Sequence, residues 1–205
     1  MRTRLIGTIA ILALAVPAAS AQAQRVQPTI QLTVEGTSTV RSFKCTATKL
    51  TSVVELDPAG GGLALAALEK TVRGVEVRVP VAALDCGNGK MNDHMRKALK
   101  AESHPEITYR LTRHEVVSQD GNRGTVRMTG RLTIAGTENP ITMNVSATPA
   151  PDGSLRVEGA AEILMKQYNV EPPSLMLGTL KVHDKVVVRF DATVPATSVV
   201  AAEAN

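Results

Sequence analysis

Tryptophan is absent from this chain, and only two phenylalanines and two tyrosines occur among its 205 residues. Phe43, Tyr109, Tyr168 and Phe190 are too few and too scattered to make a stacking platform for bases. Basic residues alternate with apolar ones instead of clustering, and the formal excess is only +4. Nucleic-acid binding therefore has no support. Histidine is also scarce. His94, His104, His114 and His183 are the only imidazoles, none at His-x-x-x-His spacing, so no metal site is indicated. Asp93 and Glu115 adjoin His94 and His114, and His94 is expected to hydrogen-bond where a helix meets a sheet. Serine-nucleophile motifs, phosphate loops and dinucleotide fingerprints are missing. The chain does not read as an enzyme, and no cofactor is called for.

Long apolar runs are missing too. The one exception, Leu5 to Val16, falls short of the roughly 20 residues that span a membrane. With Arg2 and Arg4 before it and small-x-small steps at Ala19–Ala21 and Ala21–Ala23 after it, residues 1–23 read as an export signal cleaved near Ala21 or Ala23. The expectation is a periplasmic or secreted protein without stable membrane insertion. Removing Arg2 and Arg4 leaves 21 basic residues against 19 acidic ones. The remaining chain of about 180 residues suits one domain with a substantial core. Its divisions read as a short N-terminal segment at 24–28, a domain at 29–195 and a frayed tail at 196–205.

Cysteine occurs twice, and no Cys-x-x-Cys pair exists to lower a thiol pKa, so a thiol-redox role is not indicated. Exported chains keep disulfides. Cys45 falls on the apolar side of a strand with Phe43 and Ala47, and Cys86 precedes the clearest helix. A Cys45–Cys86 bridge is expected, closing a loop of about 41 residues, worth roughly 4 kcal/mol in the chain-entropy model.

What the chain has in abundance is two-residue alternation. Ile30, Leu32 and Val34 alternate with Gln31, Thr33 and Glu35; a long strand or bent pair follows from Val40 to Leu56, with a turn at Pro58 and the glycines after it. Val75 to Val81 alternates throughout. Gly121-Asn122 separates the next pair. Val126, Met128, Leu132 and Ile134 face one way and Arg127, Thr129, Arg131 and Thr133 the other. Gly136 to Pro140 is expected to turn, leading into Ile141, Met143, Val145 and Ala147. Asp152-Gly153 turns again into Leu155 to Ile163. Lys166 to Gly178 reads as a loop or short helical excursion. Residues 178–184 read as the turn into a closing strand at Val186 to Val194.

The period changes once. Met91, Met95, Ala98 and Leu99 recur at helical spacing with Asp93, Arg96, Lys97 and Lys100 opposite, so a short amphipathic helix is predicted over about 90–102. Asn88 or Asn92 can cap it, and Pro105 requires it to end by Ser103. Ile107, Tyr109 and Leu111 then resume the strand period. One helix is inserted into a sheet of about eight antiparallel strands, which alternation alone allows to be a barrel or a sandwich, with the hairpin order favouring a barrel.

The run GKMNDHMRKALKAESHPEITYRL resembles the signature of the YceI-like family, a short helix followed by a P-x-I-x-[FY] strand. GRLTIAGTENPITMNV at 130–145 and the final VVVRFDATV are similar to that family's hairpin and last strand. The early GTSTVRSFKC carries neither the aromatic nor the histidine of the usual pattern, which marks a cysteine-containing exported subgroup. The resemblance, over roughly Thr29 to Val194, implies an eight-stranded lipocalin-like barrel that holds an isoprenoid, quinone-like or similar lipid inside.

The residues themselves allow that reading. Small aliphatic side chains on an inner face favour leftover volume, and a dry apolar cavity suits an apolar guest. The expected lining is Val77, Tyr109, Leu111, Val126, Met128, Leu132, Ile134, Met143, Val145 and Phe190. About 0.8 kcal/mol per buried CH₂ must exceed an association cost of roughly 4–15 kcal/mol, so a useful guest is long. The competing reading is a filled core, with function residing on an outer surface that meets another envelope protein.

Overall fold

The alternating segments form twelve strands among the described residues, which in the computed structural model are 23–175 and 179–196. The expected export signal, apart from its last residue, and the tail after 196 lie outside them. The strands are β1 Gln24–Val26, β2 Thr29–Ser38, β3 Ser42–Ala47, β4 Thr51–Leu56, β5 Val72–Pro80, β6 Leu84–Asp85, β7 Glu106–Asp120, β8 Arg123–Ile134, β9 Thr137–Pro149, β10 Leu155–Leu164, β11 Ser174–Leu175 and β12 Leu180–Val194. Eleven join edge to edge in the order β1-β4-β5-β7-β8-β9-β10-β12-β2-β3-β6, while β11 pairs with β12. Every pairing is antiparallel. The sheet curls about an apolar interior, as an all-β barrel-like fold.

The twelve segments exceed the expected eight because short interruptions divide runs that alternation treats as single strands. Pro28 lacks the N–H a ladder needs and stands between β1 and β2. Residues 48–50 part β3 from β4, and a 3₁₀ turn at Val81–Ala83 parts β5 from β6. Val40 to Leu56 is thus a bent pair. The proposed N-terminal segment at 24–28 contains a strand.

Three boundaries differ from expectation. The β8–β9 turn is only Ala135-Gly136, with φ of 49° and 80°, so β9 starts at Thr137 and includes Pro140. Pro140 is tolerated because β9 pairs with β10 only from Val145 onward and needs no donor on that side at 140. Residues 180–184, read from the sequence as a turn, belong to β12; a register shift between Val182 and Val186 disguises their alternation. The segment from Lys166 contains a 3₁₀ helix at Met165–Tyr168 and the short β11; residues 176–178 of it lie outside the described residues.

Two helices interrupt the sheet: α1 Leu68–Thr71, which the sequence did not signal, and α2 Gly89–Ala98. α2 stops four residues before the predicted 102. Lys100 takes a left-handed φ of 54°, and the chain closes a turn there before Pro105. Asn88 is its cap, its side-chain oxygen accepting from the Met91 N–H at 3.1 Å. Asn92 instead accepts from the Cys86 N–H at 2.8 Å and donates to Asp85 at 2.9 Å.

The outer face of the sheet is neutralised by ion pairs. Arg78 meets Glu76, Arg127 meets Glu115, Arg156 meets Asp191 and Arg189 meets Glu35. Such exposed pairs add little stability, but they leave the barrel wall with almost no uncompensated charge.

Candidate functional site

The two ends of the barrel differ. At one end the β4–β5 connection folds back as a plug: Leu63, Leu65 and Leu68 are buried, and they join Leu56, Val126 and Ala147 in one core cluster. Leu65 lies so close over Gly124 that a Cβ there would fall 2.7 Å from its Cδ2. At the other end lie α2, the β2–β3 turn, the β8–β9 turn and the segment between β10 and β12.

Between them is a cavity of about 540 Å³, within the usual range for small-molecule sites. All ten residues expected from the sequence, Val77, Tyr109, Leu111, Val126, Met128, Leu132, Ile134, Met143, Val145 and Phe190, stand in its wall. So do Met91, Met95, Ala98 and Leu99, the apolar stripe of α2. No Asp or Glu among the described residues lines it. Of the polar members, Ser38, Arg41, Asn88, Lys90 and His94 belong to the β2–β3 turn and α2, while His114 of β7 stands on the α1 side. The interior is hydrocarbon and its α2 end is polar, the arrangement that suits a long apolar molecule with one wetter end.

The aromatic rings leave that volume free by lying over glycines. The end of the Phe43 ring occupies the place of a Cβ on its cross-strand partner Gly36. A Cβ on Gly159 would fall 2.6 Å from Cζ of its partner Phe190, and one on Gly130 would fall 2.5 Å from Cε2 of Tyr109. This pairing needs the register and is invisible in the sequence.

Cys45 and Cys86 are bridged, and both line the cavity beside α2. Around the bridge, Asp85 accepts from Asn92 and from the Gly87 N–H, and these hydrogen bonds hold its carboxyl below the usual carboxylate range. The start of α2 is therefore fastened both covalently and by a polar network.

Tyr109 carries the one polar atom in the described barrel wall that is buried without a partner, its hydroxyl. Desolvation pushes its phenol from 10.0 up to about 12. Because the folded value lies above the unfolded one, its contribution to stability is constant below pH 10 and declines as pH rises through about 12. Tyr109→Phe is expected to stabilise the fold by about 1 kcal/mol, since an unsatisfied hydroxyl disappears, and to flatten that alkaline decline. Urea unfolding at neutral and alkaline pH measures both; a variant less stable than the parent would show that the hydroxyl has a partner.

The histidines do not converge. His114 Nε2 lies 3.2 Å from the Leu68 carbonyl and holds α1, while Glu115 turns to Arg113 and Arg127. His183 Nδ1 lies 2.9 Å from Thr37 Oγ1. His94 lines the cavity and, contrary to expectation, its ring forms no hydrogen bond among the described residues. No group of three potential metal ligands occurs among the described residues, and no helix among them is long and apolar enough to cross a membrane.

The fold and site together define an antiparallel, barrel-like sheet around an apolar chamber whose described lining carries no carboxylate. More particularly, the chain belongs to the YceI-like domain family, whose model matches residues 17–194. Among solved structures it is similar to BcnA of Burkholderia cenocepacia (TM-score 0.62, 20% identity, covering 80% of this chain and 95% of that one). It is also similar to a polyisoprenoid-binding domain from Saccharophagus degradans implicated in plant cell wall breakdown (TM-score 0.63, 14% identity, covering 84% and 98%). The YceI protein of Campylobacter jejuni matches with a TM-score of 0.53 at 15% identity, covering 94% and 97%. At these identities the likeness is one of fold. No curated protein matches the chain.

Proposed function

We propose that this protein is an exported, non-enzymatic carrier that holds an isoprenoid, quinone-like or similar long apolar molecule inside its barrel. The observation that carries this reading is the roughly 540 Å³ chamber with a largely hydrocarbon wall and no carboxylate among its described lining residues. Emptiness of that size weighs against the filled-core alternative. Membership of the YceI-like family and the polyisoprenoid-binding relative agree with it. Export is supported by the leader in residues 1–23 and by a disulfide suited to an oxidising compartment.

The barrel is taken to work as eight composite strands. Val26 pairs with Val54 and Thr33 with Thr46, registers that differ by a single residue between the β1–β4 and β2–β3 ladders. The strand order begins on β1-β4-β5 and ends on β2-β3-β6, pieces of the same three runs. A closed wall follows if each run acts as one strand, and closure is what keeps water from the guest.

Native mass spectrometry of protein purified gently from its own envelope, followed by solvent extraction, tests the reading. The expected result is about one lipid released per chain. A bare mass, with no uptake of added polyprenyl lipid, would overturn it.

A further inference from the structure

The described residues contain 21 lysines and arginines, and their distribution is uneven. Eleven arginines and Lys185 form ion pairs within 4 Å of a carboxylate. Among the described residues, nine cations form none. Only Lys49 and Lys70 of these are remote from the α2 end. Arg41 sits in the β2–β3 turn and Lys44 just below it; Lys90, Lys97 and Lys100 are on or directly after α2; Lys166 and Lys181 flank the β10–β12 connection. All seven are exposed.

The carboxylates at that end do not cancel them. Asp93 is paired with Arg96, while Asp85 and Asp184 accept only from neutral donors and keep their charge, as do the exposed Glu102 and Glu171. The seven cations therefore exceed the four unpaired carboxylates by three. The plug end carries the opposite balance: Asp57 is held by Arg73, and Glu69, Asp120 and Asp152, none of them ion-paired, face Lys70. Two of the three most exposed large apolar side chains lie on this side, Val40 at the tip of the β2–β3 turn beside Arg41, 66% exposed, and Leu164 at the end of β10, while Val117 lies toward the plug end.

From this coincidence of unpaired cations, a protruding apolar tip and the polar end of the chamber, we infer that the α2 end docks reversibly on an anionic phospholipid surface, with the chamber facing the bilayer. The inference rests on the carrier reading, to which it adds the partner. A lipid too insoluble to cross water is exchanged without exposure when the chamber opens directly onto the membrane. Lysines suit the task because each is attracted to anionic headgroups without needing a fixed geometry. Val40 is placed to enter the headgroup layer, where an apolar side chain adds to the electrostatic term.

Co-sedimentation of the full mature chain with phospholipid vesicles is the test, comparing pure phosphatidylcholine with vesicles that are one-third phosphatidylglycerol. Partitioning onto the anionic vesicles alone is expected, weakening as added salt screens the charges. The triple variant Lys97→Gln, Lys100→Gln, Lys166→Gln, none of which lines the chamber, is expected to lower the partition coefficient on the order of a hundred-fold. Lys49→Gln with Lys70→Gln, charges remote from that end, is expected to change it less than two- to three-fold. Equal binding to both vesicle types, binding to neither, or equal losses in the two variants would overturn the docking surface. Loading of added polyprenyl lipid in detergent separates the two readings. A chain that loads but ignores anionic vesicles loses the docking surface alone, and one that docks but never loads loses the carrier reading alone.

Discussion

Replacing Cys45 and Cys86 together by serine is expected to remove about 4 kcal/mol of stability. The bridge joins residues 41 positions apart, and closing a loop of that length withdraws that much conformational freedom from the unfolded chain. For a domain of this size, each kcal/mol shifts the melting temperature by roughly 2–4 °C, so the double variant should melt about 8–16 °C lower. Urea unfolding of parent and variant measures the free energy directly, and reduction of the parent should reproduce the variant. A difference below about 1 kcal/mol would mean that the unfolded chain is already confined around this loop. Loss should also be uneven. The bridge lies beside the start of α2, so hydrogen exchange in residues 86–98 should rise more than in β8 or β9.

Met143→Trp is expected to weaken binding of a long guest about thirty-fold while leaving the fold intact. Met143 pairs across the sheet with Met128, and both are half-buried against the chamber. The indole exceeds the methionine side chain by the volume of about two to three methylenes of the guest, which forgoes ~2 kcal/mol of burial, a roughly thirty-fold weaker dissociation constant. Because the ring grows into empty space, the overpacking penalty of a dense core does not apply. Fluorescence displacement with a polyprenyl probe gives the affinity, and thermal melting shows whether the variant is as stable as its parent. Unchanged affinity in a stable variant would place the guest elsewhere.

Much of the barrel and its lining is legible in the order of the residues, and for a physical reason. Alternation records which face of a strand meets water, so Val126, Met128, Leu132 and Ile134 announce an inner face, and the switch to helical spacing at Met91 announces α2. The cysteines announce their bridge by being two, in a chain whose sequence reads as exported. The plug does not announce itself. Leu63, Leu65 and Leu68 are the only large residues in a short apolar run after the glycines, too few to show a period, and the seating of Leu65 depends on Gly124 from a distant strand. Nor can alternation decide between a filled and a hollow interior, since both place the same residues inward. The uneven distribution of charge is equally hidden, because it arises from which arginines find carboxylates across the sheet.

The glycines beneath Phe43, Tyr109 and Phe190 make the bore of this barrel a property of the residues that contribute least to it. Each ring is drawn toward the wall by the absence of a Cβ on Gly36, Gly130 or Gly159. A methyl group at Gly159 would displace Phe190 inward and narrow the chamber without replacing any other residue of its lining. The width of the chamber and the chemistry of its lining are thus set by separate positions, so three small residues can change the one while the other stays the same.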